Sequence, residues 1–556
     1  MKTNKTTLTV VVMLMILSIA LNLYQHYNSK SLTSKLKGAE KLFALNFTNS
    51  ERDLLKDDVT EAIECYELIH EFDIQNDLEF SLVFAPVPPS YSPNFESNSS
   101  DFDLPQNVSL PENREDLCFY TIAELSYLVK NRVITSKELT EIYLNRIKDH
   151  DPELLSVITL LEERALKQAQ QMDEEMASGK HRGPLHGIPY GVKDLLALKD
   201  YPFTYGSPIY KDQIATTTAS VIDKLDEAGA VLVAKLSLGE FAWGDVWFGG
   251  KTRNPWNTER GSSGSSAGSA SATAGGLVTF ALGSETWGSI VSPSTECGVT
   301  GLRPTFGRVS RTGAMTLSWS MDKIGPICRT AQDCALVINA ISSIDNMDKV
   351  LVDVPLNINL NADISTLRVG ITEDYFKQDY PFKTNDSIAL QAFKELGIDF
   401  IPVKLPEHLP MSVLSSILDV EAAAAFSHIT LNNLDDQMVR QGKNAWPNHF
   451  RKARFVPAVE YIQANRIRTV LIDEFSKLFE EVDVIITPSF AGNQLLMTNL
   501  TGHPAISIPT GFSDNELPTS ITLISNWYRE DQILLLAKKY QDKTQWFREN
   551  PKGFSE

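Results

Sequence analysis

The chain has 556 residues, of which 43% are hydrophobic and 22% are charged, a balance typical of a globular protein with a large core. Its formal net charge of −19 at pH 7 argues against binding to nucleic acid or to an anionic membrane surface. The sequence contains neither a Cys-x-x-Cys nor a His-Glu-x-x-His pattern, so we predict no metal site.

The first distinctive segment is the uncharged run at residues 7–24, which follows Lys2 and Lys5. As a helix it would extend about 27 Å, close to the roughly 30 Å of a bilayer core. We favour an uncleaved signal anchor, and a signal peptide cleaved near the small residues at 18–20 is the alternative. The basic N-terminus then predicts a catalytic domain outside the cytoplasm, either membrane-anchored in the periplasmic or extracellular space or secreted.

Residues 25–115 are predicted to form a stalk and linker. Apolar residues at mostly helical spacing predict a helix over residues 51–72, whereas Pro, Ser, Asn and Asp dominate residues 85–115 and indicate a linker or surface loop. The chain has five cysteines, so at least one stays unpaired if disulfides form, and a bridge between Cys65 and Cys118 is left open.

The main domain is predicted over residues 116–545, with a C-terminal tail at 546–556. It opens with Thr121 and Glu124, whose spacing predicts a capping box at the start of a helix. Strand-like and helical patterns then alternate, which predicts an α/β architecture. The predicted strands lie at residues 231–234, 277–282, 367–371, 482–487 and 505–508, and the predicted helices include 162–177, 219–228, 331–341, 387–396 and 531–541.

Three loops of this domain carry residues suited to a serine–serine–lysine proton relay. Ser289 follows the turn after the apolar run and is the predicted nucleophile, Ser265 lies in a Gly/Ser-rich loop and would bridge, and Lys193 is the predicted base. A lysine acts as a base only when neutral, so burial must lower its ordinary pKa of about 10.4. The predicted oxyanion donors are the backbone N–H groups of Thr286, Trp287, Gly288 and Ser289.

These motifs resemble those of the amidase signature family of serine hydrolases. The similarity runs in the family's order from about Cys118 to about Tyr540. The resemblance implies an amidase signature fold with one large mixed β-sheet covered by helices on both faces, a Ser-cisSer-Lys triad and no cofactor. The matching motifs are GIPYGVKD at 187–194, TRNPW at 252–256, GSSAG at 264–268, WGSI at 287–290, CGVTGLRPT at 297–305 and NLTGHPAIS at 499–507.

Three positions near the predicted nucleophile depart from the family's pattern. Glu285 replaces an aspartate. Trp287 replaces a small residue, and its bulk is expected to narrow or reshape the acyl pocket. Val291 stands where many members carry an arginine, which removes a positive charge from this region.

Several residues admit other interpretations. Lys235 also ends an apolar run and competes with Lys193 for the role of base. The Gly-x-Ser-x-Gly pattern at 264–268 fits the nucleophile elbow of α/β-hydrolases, but no strand pattern precedes it. By composition alone residues 261–276 would be a flexible linker, but the apolar run that follows and the second serine loop indicate an ordered site. His503 is predicted to be structural, and the cysteines of the main domain are predicted to be buried thiols.

We predict an amidase that cleaves a carboxamide C–N bond through an acyl-enzyme intermediate. Its expected partners are a small-molecule amide and a membrane, through residues 7–24, with no nucleic acid and with a homodimer left open. One alternative is a glutaminase-type subunit of a tRNA-dependent amidotransferase. Another is a catalytically silent binding protein on the same fold.

Overall fold

The computed structural model describes residues 3–71, 74–76, 78 and 81–554. The chain divides into two compact units, Met1–Gln75 and Asn76–Glu556. All of the predicted catalytic residues belong to the second unit.

The first unit is a pair of helices, α1 (Thr3–Leu42) and α2 (Asn49–Glu71). The second of these corresponds to the helix predicted at 51–72, of which residue 72 lies outside the described residues. A buried ion pair joins the two helices: Arg52 Nε lies 2.6 Å from Glu40 Oε1, and Arg52 Nη2 lies 2.8 Å from Glu40 Oε2. A two-point guanidinium–carboxylate contact fixes both distance and orientation.

The predicted membrane segment at residues 7–24 lies within α1. Side chains are described there for residues 9–21, a largely apolar and exposed run. No helix in the part of the chain that the structure describes is long and apolar enough to cross a membrane. This finding contradicts the predicted N-terminal membrane segment, its membrane partner and the location derived from it.

The second unit is built on one mixed sheet of eleven strands, in the order β1-β3-β2-β8-β10-β9-β14-β15-β13-β11-β12. In this sheet β2 is parallel to β3 and β8, β11 is parallel to β12 and β13, and the other neighbours are antiparallel. Two separate hairpins pair β4 with β5 and β6 with β7. The strands are β1 (Val157–Leu160), β2 (Pro189–Lys193), β3 (Val231–Leu236), β4 (Val246–Trp247), β5 (Gly250–Lys251), β6 (Arg253–Asn254), β7 (Asn257–Gly261), β8 (Phe280–Glu285), β9 (Thr300–Arg303), β10 (Lys323–Cys328), β11 (Val369–Ile371), β12 (Phe400–Pro402), β13 (Val484–Pro488), β14 (Ala505–Phe512) and β15 (Pro518–Ser525).

The helices of this unit are α3 (Ile122–Lys130), α4 (Ser136–Leu154), α5 (Glu162–Ala177), α6 (Ser220–Glu227), α7 (Ala267–Ala274), α8 (Val291–Cys297), α9 (Ala331–Ile341), α10 (Glu373–Phe376), α11 (Lys383–Glu395), α12 (Met411–Leu414), α13 (Ser416–Ala425), α14 (Ser427–Leu431), α15 (Trp446–Ala453), α16 (Ala458–Glu481), α17 (Gln494–Leu500) and α18 (Glu530–Thr544). Helices and strands are interspersed along this unit, as the α/β pattern predicts, except that α12 to α16 follow one another between β12 and β13. The predicted capping box is present at α3, where Thr121 Oγ1 accepts from the Glu124 N–H and Glu124 Oε2 accepts from the Thr121 N–H.

The centre of the sheet is covered on both faces. Every residue of β2, β3, β8 and β10 is buried. Since successive side chains of a strand point to opposite faces, burial of all of them requires packing on each side. The edge strands β1 and β12 are only partly buried. The expected large mixed sheet is therefore present, and its middle strands lie in the core.

The Gly/Ser-rich run is folded into the domain, but part of the predicted loop is a helix. Residues 267–274 form the buried helix α7, which packs against β8, rather than a continuous loop or linker. The strand predicted at 277–282 begins three residues later, as β8. Small residues allow this helix to approach its neighbours closely: a Cβ at Gly268 would lie 2.3 Å from the Ser156 carbonyl oxygen.

Candidate active site

The predicted base lies at the centre of a cluster of hydroxyl groups. Lys193 is the last residue of β2 and is fully buried. Its Nζ lies 2.7 Å from Ser265 Oγ, 2.9 Å from Ser284 Oγ and 3.1 Å from Ser266 Oγ. A neutral amine has two N–H groups and one lone pair, so it can accept a proton from one of these hydroxyls.

Burial sets the proton affinity of this amine. The removal of Lys193 from water lowers its pKa from 10.5 to about 7, while the negative charges of Asp322 and Glu285 act in the opposite direction. A substantial fraction of Lys193 is therefore neutral near pH 7. This is the condition that a lysine must meet to serve as a general base.

The bridging serine lies on a tightly packed loop between β7 and α7. The peptide bond between Gly264 and Ser265 is cis. A Cβ added at Gly264 would lie 1.9 Å from the carbonyl oxygen of Gly244, so no larger residue fits without movement of the backbone. The close approach of these two loops places the Ser265 hydroxyl against Lys193.

The predicted nucleophile lies between β8 and α8, beside the bridging loop. The carbonyl oxygen of Ser289 accepts a hydrogen bond from the Ser266 N–H at 3.2 Å. Its side-chain hydroxyl has no hydrogen-bond partner among the described residues, and the residue is 8% exposed. The structure thus joins Lys193 to Ser265 directly, and the proton path from Ser289 to Ser265 remains a prediction.

Glu285 closes the loop that carries the predicted oxyanion donors. Its Oε2 accepts hydrogen bonds from the N–H groups of Ile290 and Val291, at 2.7 and 2.9 Å. The chain between these contacts spans residues 286–289. Among the described residues no partner is found for the N–H groups of Trp287, Gly288 and Ser289. Unpaired donors on one short loop suit the stabilisation of a developing oxyanion.

A buried charge pair fixes Glu285 in turn. Its Oε1 accepts from Arg303 Nη1 at 2.7 Å and from Asn499 Nδ2 at 2.7 Å. Burial favours the neutral acid, but Arg303, Asn499 and the N–H of Val291 outweigh it and hold the Glu285 pKa below 4.5. The carboxylate therefore stays ionised, and it links α8, β9 and α17 to the loop of Ser289.

Asp322 holds the other end of the same loop. Thr286 Oγ1 donates to Asp322 Oδ1 at 2.6 Å, and the N–H groups of Leu317 and Ser318 donate to Asp322 Oδ2 at 2.8 and 2.9 Å. Burial raises the pKa of Asp322, and these three donors oppose the rise. Asp322 thus connects the segment before β10 to the first of the predicted oxyanion donors.

A cavity of about 450 Å³ is lined in part by Ser284, whose hydroxyl contacts Lys193 Nζ, and by Thr286, the first of the predicted oxyanion donors. This volume lies within the range of small-molecule sites, roughly 300–1,000 Å³. Much of the lining is apolar or hydroxyl-bearing, as in Leu195, Met315, Trp319, Ile324, Thr217 and Thr312.

Comparison with known proteins identifies the family. The Amidase family model matches residues 138–534, which is more than half of the chain. This chain belongs to the amidase signature family. A glutamyl-tRNA(Gln) amidotransferase subunit of Coxiella burnetii is 34% identical to it over 480 residues, covering 78% of this chain and 99% of the relative. The subunit of the same name from Methylococcus capsulatus is 33% identical over 483 residues, with the same coverage.

Solved structures of this family share the fold of the chain. The native peptide amidase from Stenotrophomonas maltophilia has a TM-score of 0.68 and 28% identity, covering 76% of this chain and 97% of the peptide amidase. An amidase family protein from Bacillus anthracis str. Ames has a TM-score of 0.69 and 26% identity, covering 78% and 92%.

The competing lysine has a different role in this amidase fold. Lys235 Nζ forms an ion pair with Asp194 and donates to the Pro202 carbonyl oxygen, and the ion-paired side chains are fully buried. Lys235 Nζ is thus engaged with a carboxylate and a carbonyl oxygen, whereas Lys193 Nζ is engaged with the serine hydroxyls. The structure therefore favours Lys193 over Lys235 as the base.

The other residues singled out from the sequence lie apart from the relay. His503 is buried with Nδ1 2.7 Å from Thr501 Oγ1 and its ring stacked on Phe479, as expected of a structural residue. All five cysteines are free thiols: Cys65 is exposed and the other four are buried. The bridge left open between Cys65 and Cys118 is not formed.

Sequence reasoning missed the residues that hold the oxyanion loop. It noted Glu285 only as a departure from the family's pattern, placed Arg303 and Asn499 only within matching motifs, and did not consider Asp322. One signal was available: charged residues inside apolar stretches are buried only when they are paired.

Proposed function

We propose that this chain hydrolyses the C–N bond of a carboxamide, with Ser289 as nucleophile, Ser265 as proton bridge and Lys193 as base. The observation that carries the proposal is the 2.7 Å contact between the buried Lys193 Nζ and Ser265 Oγ. An amine with a pKa of about 7 in that position can take a proton at neutral pH. Membership of the amidase signature family supports chemistry at a C–N bond.

The proposed reaction begins when Ser289 Oγ attacks the carbonyl carbon of the amide. Its proton passes to Ser265, which hands its own proton to Lys193, because a hydroxyl can donate and accept at once. The backbone N–H groups of residues 286–289 stabilise the tetrahedral oxyanion. When the C–N bond breaks, the relay returns a proton to the departing nitrogen, and water then hydrolyses the acyl-enzyme.

Covalent labelling tests the nucleophile. A fluorophosphonate probe should label the wild-type chain and should fail to label Ser289→Ala, because the probe reacts with an activated serine. Ser178→Ala, at an exposed serine remote in sequence, is the matched control and should label normally. Labelling that persists in Ser289→Ala would assign the nucleophile elsewhere.

Turnover tests the base. Lys193→Ala should reduce kcat at neutral pH by about 10²–10⁴-fold, the usual contribution of general acid–base catalysis. Lys199→Ala removes an exposed lysine from the adjoining segment and should leave kcat unchanged. An unaltered kcat in Lys193→Ala would remove this lysine from the relay.

A second candidate function follows from the names of the relatives. Two proteins at 33–34% identity are called glutamyl-tRNA(Gln) amidotransferase subunits, and this chain covers 99% of each. We therefore propose, as the alternative, a glutaminase-type subunit that releases ammonia from glutamine for a partner protein. The same three residues would perform that reaction, since glutamine is itself a carboxamide.

Ammonia release separates these possibilities. Ser289-dependent release from L-glutamine, with simple amides left intact, would favour the glutaminase-type subunit. Turnover of simple amides with little release from glutamine would favour the free amidase. A well-folded chain that neither labels nor turns over any amide would favour a catalytically silent binding protein.

A further inference from the structure

The cavity beside the relay bears on the chemical class of substrate. Its described lining contains four residues with ionisable or charged side chains: Arg311, Asp322, Lys323 and Asp348. A substrate that carries a charge must find an opposite charge among them, because an unpaired charge is costly to bury. Whether each of these four side chains is already bonded within the chain therefore decides which substrates the cavity accepts.

The one guanidinium in the described lining is already paired within the chain. Arg311 Nε lies 2.9 Å from Asp348 Oδ2, and Arg311 Nη2 lies 3.0 Å from Asp348 Oδ1. Its Nη1 donates to the Trp319 carbonyl oxygen at 2.7 Å. This two-point contact neutralises the cation and uses both oxygens of the acid.

The amine in the lining is bonded within the chain. Lys323 is buried, and its Nζ donates to the carbonyl oxygen of Met321. Burial, followed by the nearby charge of Arg303, holds the Lys323 pKa well below 10.5. Because the Lys323 side chain is buried and its Nζ is bonded to a backbone carbonyl, the amine is held within the chain and is not presented to a substrate carboxylate.

The remaining acid has its acceptor sites occupied. Asp322 receives one hydrogen bond from the Thr286 hydroxyl and two from backbone N–H groups. An ammonium group on a substrate would have to compete with all three donors. Each of the four side chains is therefore bonded to another part of the chain. The described lining of the cavity offers a charged substrate no side chain of opposite charge without such a partner.

We infer that this site takes a carboxamide whose acyl part is uncharged, and in particular one without a carboxylate. The inference rests on the proposed function and names its substrate class. It follows from the paired Arg311 and Asp348, the internally bonded Lys323 and Asp322, and the apolar and hydroxyl-bearing surface around them. Glutamine, with a carboxylate and an ammonium group, lacks a partner for either charge.

A matched set of primary amides tests the inference on the full chain. Butyramide and glutaramate differ only by a terminal carboxylate, 3-phenylpropanamide enlarges the uncharged acyl group, and L-glutamine adds an ammonium group to glutaramate. We expect kcat/KM for butyramide and 3-phenylpropanamide to exceed that for glutaramate and glutamine by at least about tenfold. Equal or higher values for either charged amide would overturn the inference.

A substitution at Asp348 tests whether its pairing with Arg311 is the reason that charged amides are disfavoured. Asp348→Asn removes the charge that neutralises Arg311, so the ratio of kcat/KM for glutaramate to that for butyramide should rise by about tenfold. Asp353→Asn, at an exposed acid of the same segment, should leave the ratio unchanged. A ratio that stays constant in a folded Asp348→Asn would contradict the role given to the pair. If this variant fails to fold, the kcat/KM values of the four amides, measured with the wild-type chain, still test whether the substrate is uncharged.

Failure of the inference and failure of the proposed function give different results. Preference for glutaramate or glutamine, abolished in Ser289→Ala, would overturn the uncharged substrate and leave amide hydrolysis intact. Absence of turnover of all four amides together with absence of fluorophosphonate labelling would overturn both.

Discussion

Lys193 shows how the surroundings of one residue set its chemistry. It carries the side chain of an ordinary lysine, yet burial among the hydroxyls of Ser265, Ser266 and Ser284 brings its pKa to about 7. Only the unprotonated amine can act as a base. We therefore expect kcat/KM to be lost as the pH falls below about 7 and to be constant above it, until another group titrates.

The charge of Asp322 should shift this profile. That charge opposes the effect of burial and raises the pKa of Lys193. Asp322→Asn removes it and preserves an oxygen that can accept from Thr286, so the acidic limb of kcat/KM should move to lower pH. Asp212→Asn, at an exposed acid, is the control and should leave the limb in place. A shift to higher pH in Asp322→Asn would contradict the electrostatic coupling between the two residues.

At the scale of elements, the site depends on loops that pack backbone against backbone. The loop of Gly264 and Ser265 touches the segment at Gly244 so closely that a Cβ at Gly264 would lie 1.9 Å from a carbonyl oxygen. Gly264→Ala should therefore displace Ser265, destabilise the fold by about 1–3 kcal/mol and abolish most turnover. Thermal unfolding and kcat measure the two effects.

Gly442 provides the matched control for that substitution. A Cβ there meets nothing within 4 Å, so Gly442→Ala should change neither Tm nor kcat appreciably. Full activity in Gly264→Ala would show that the bridging loop tolerates displacement, against the close contact described above.

The loop between β8 and α8 depends on a buried charge instead. Glu285 holds the N–H groups of Ile290 and Val291 and pairs with Arg303. Glu285→Gln leaves Arg303 buried without its counter-charge, and loss of one partner of such a pair costs about 3–5 kcal/mol. We expect that loss in the free energy of unfolding by urea at pH 7, with lowered kcat.

The pH dependence of this effect has a definite sign. The Glu285 pKa in the folded chain lies below 4.5, so its stabilising contribution is present above about pH 4.5 and is lost as the pH falls through the folded-state value. The difference between Glu285→Gln and the wild type should shrink over that acidic range. Glu259→Gln, at an exposed glutamate, should show no difference at any pH.

At the scale of the whole molecule, the proposed catalytic residues all belong to one of the two units. The eleven-stranded sheet, the relay and the cavity all belong to residues 76–556. A chain that begins at Asn76 should therefore retain Ser289-dependent turnover, with kcat within about twofold of the full chain. Loss of folding in that shortened chain, seen by circular dichroism, would show that residues 1–75 are required for the stability of the second unit.

The local sequence pattern was sufficient to predict much of the structure of the second unit. Alternation of strand-like and helical runs predicted an α/β fold, the spacing of Thr121 and Glu124 predicted a capping box, and the motifs predicted the family. These features depend on neighbours in sequence, which a pattern records directly. The pattern failed at residues 267–274, where Gly- and Ser-rich composition hid a helix whose stability comes from packing.

The two candidate lysines illustrate information that a local sequence pattern lacks, namely which face of the sheet each side chain lies on. Lys193 is the last residue of the buried strand β2 and Lys235 is the penultimate residue of the buried strand β3, and among sequence signals only the family resemblance at residues 187–194 favours Lys193. In the sheet Val192 is the partner of Lys235, and Lys193 is the partner of Leu236. Since side chains alternate between faces, the two lysines lie on opposite sides of the sheet, one among serines and the other with Asp194.

By itself the sequence therefore determined the fold class, the family and the set of residue types from which a relay is built, because periodicity and loop motifs are local properties. The tertiary structure alone decided which charges hold the loop of Ser289 and which charges in the cavity are cancelled, and it places Lys193, which the resemblance already favoured, against the serines. Those outcomes depend on strand register and on contacts between residues far apart in the chain, as between Glu285 and Asn499. It also overturned the membrane segment, because no helix among the described residues is long and apolar enough to cross a bilayer.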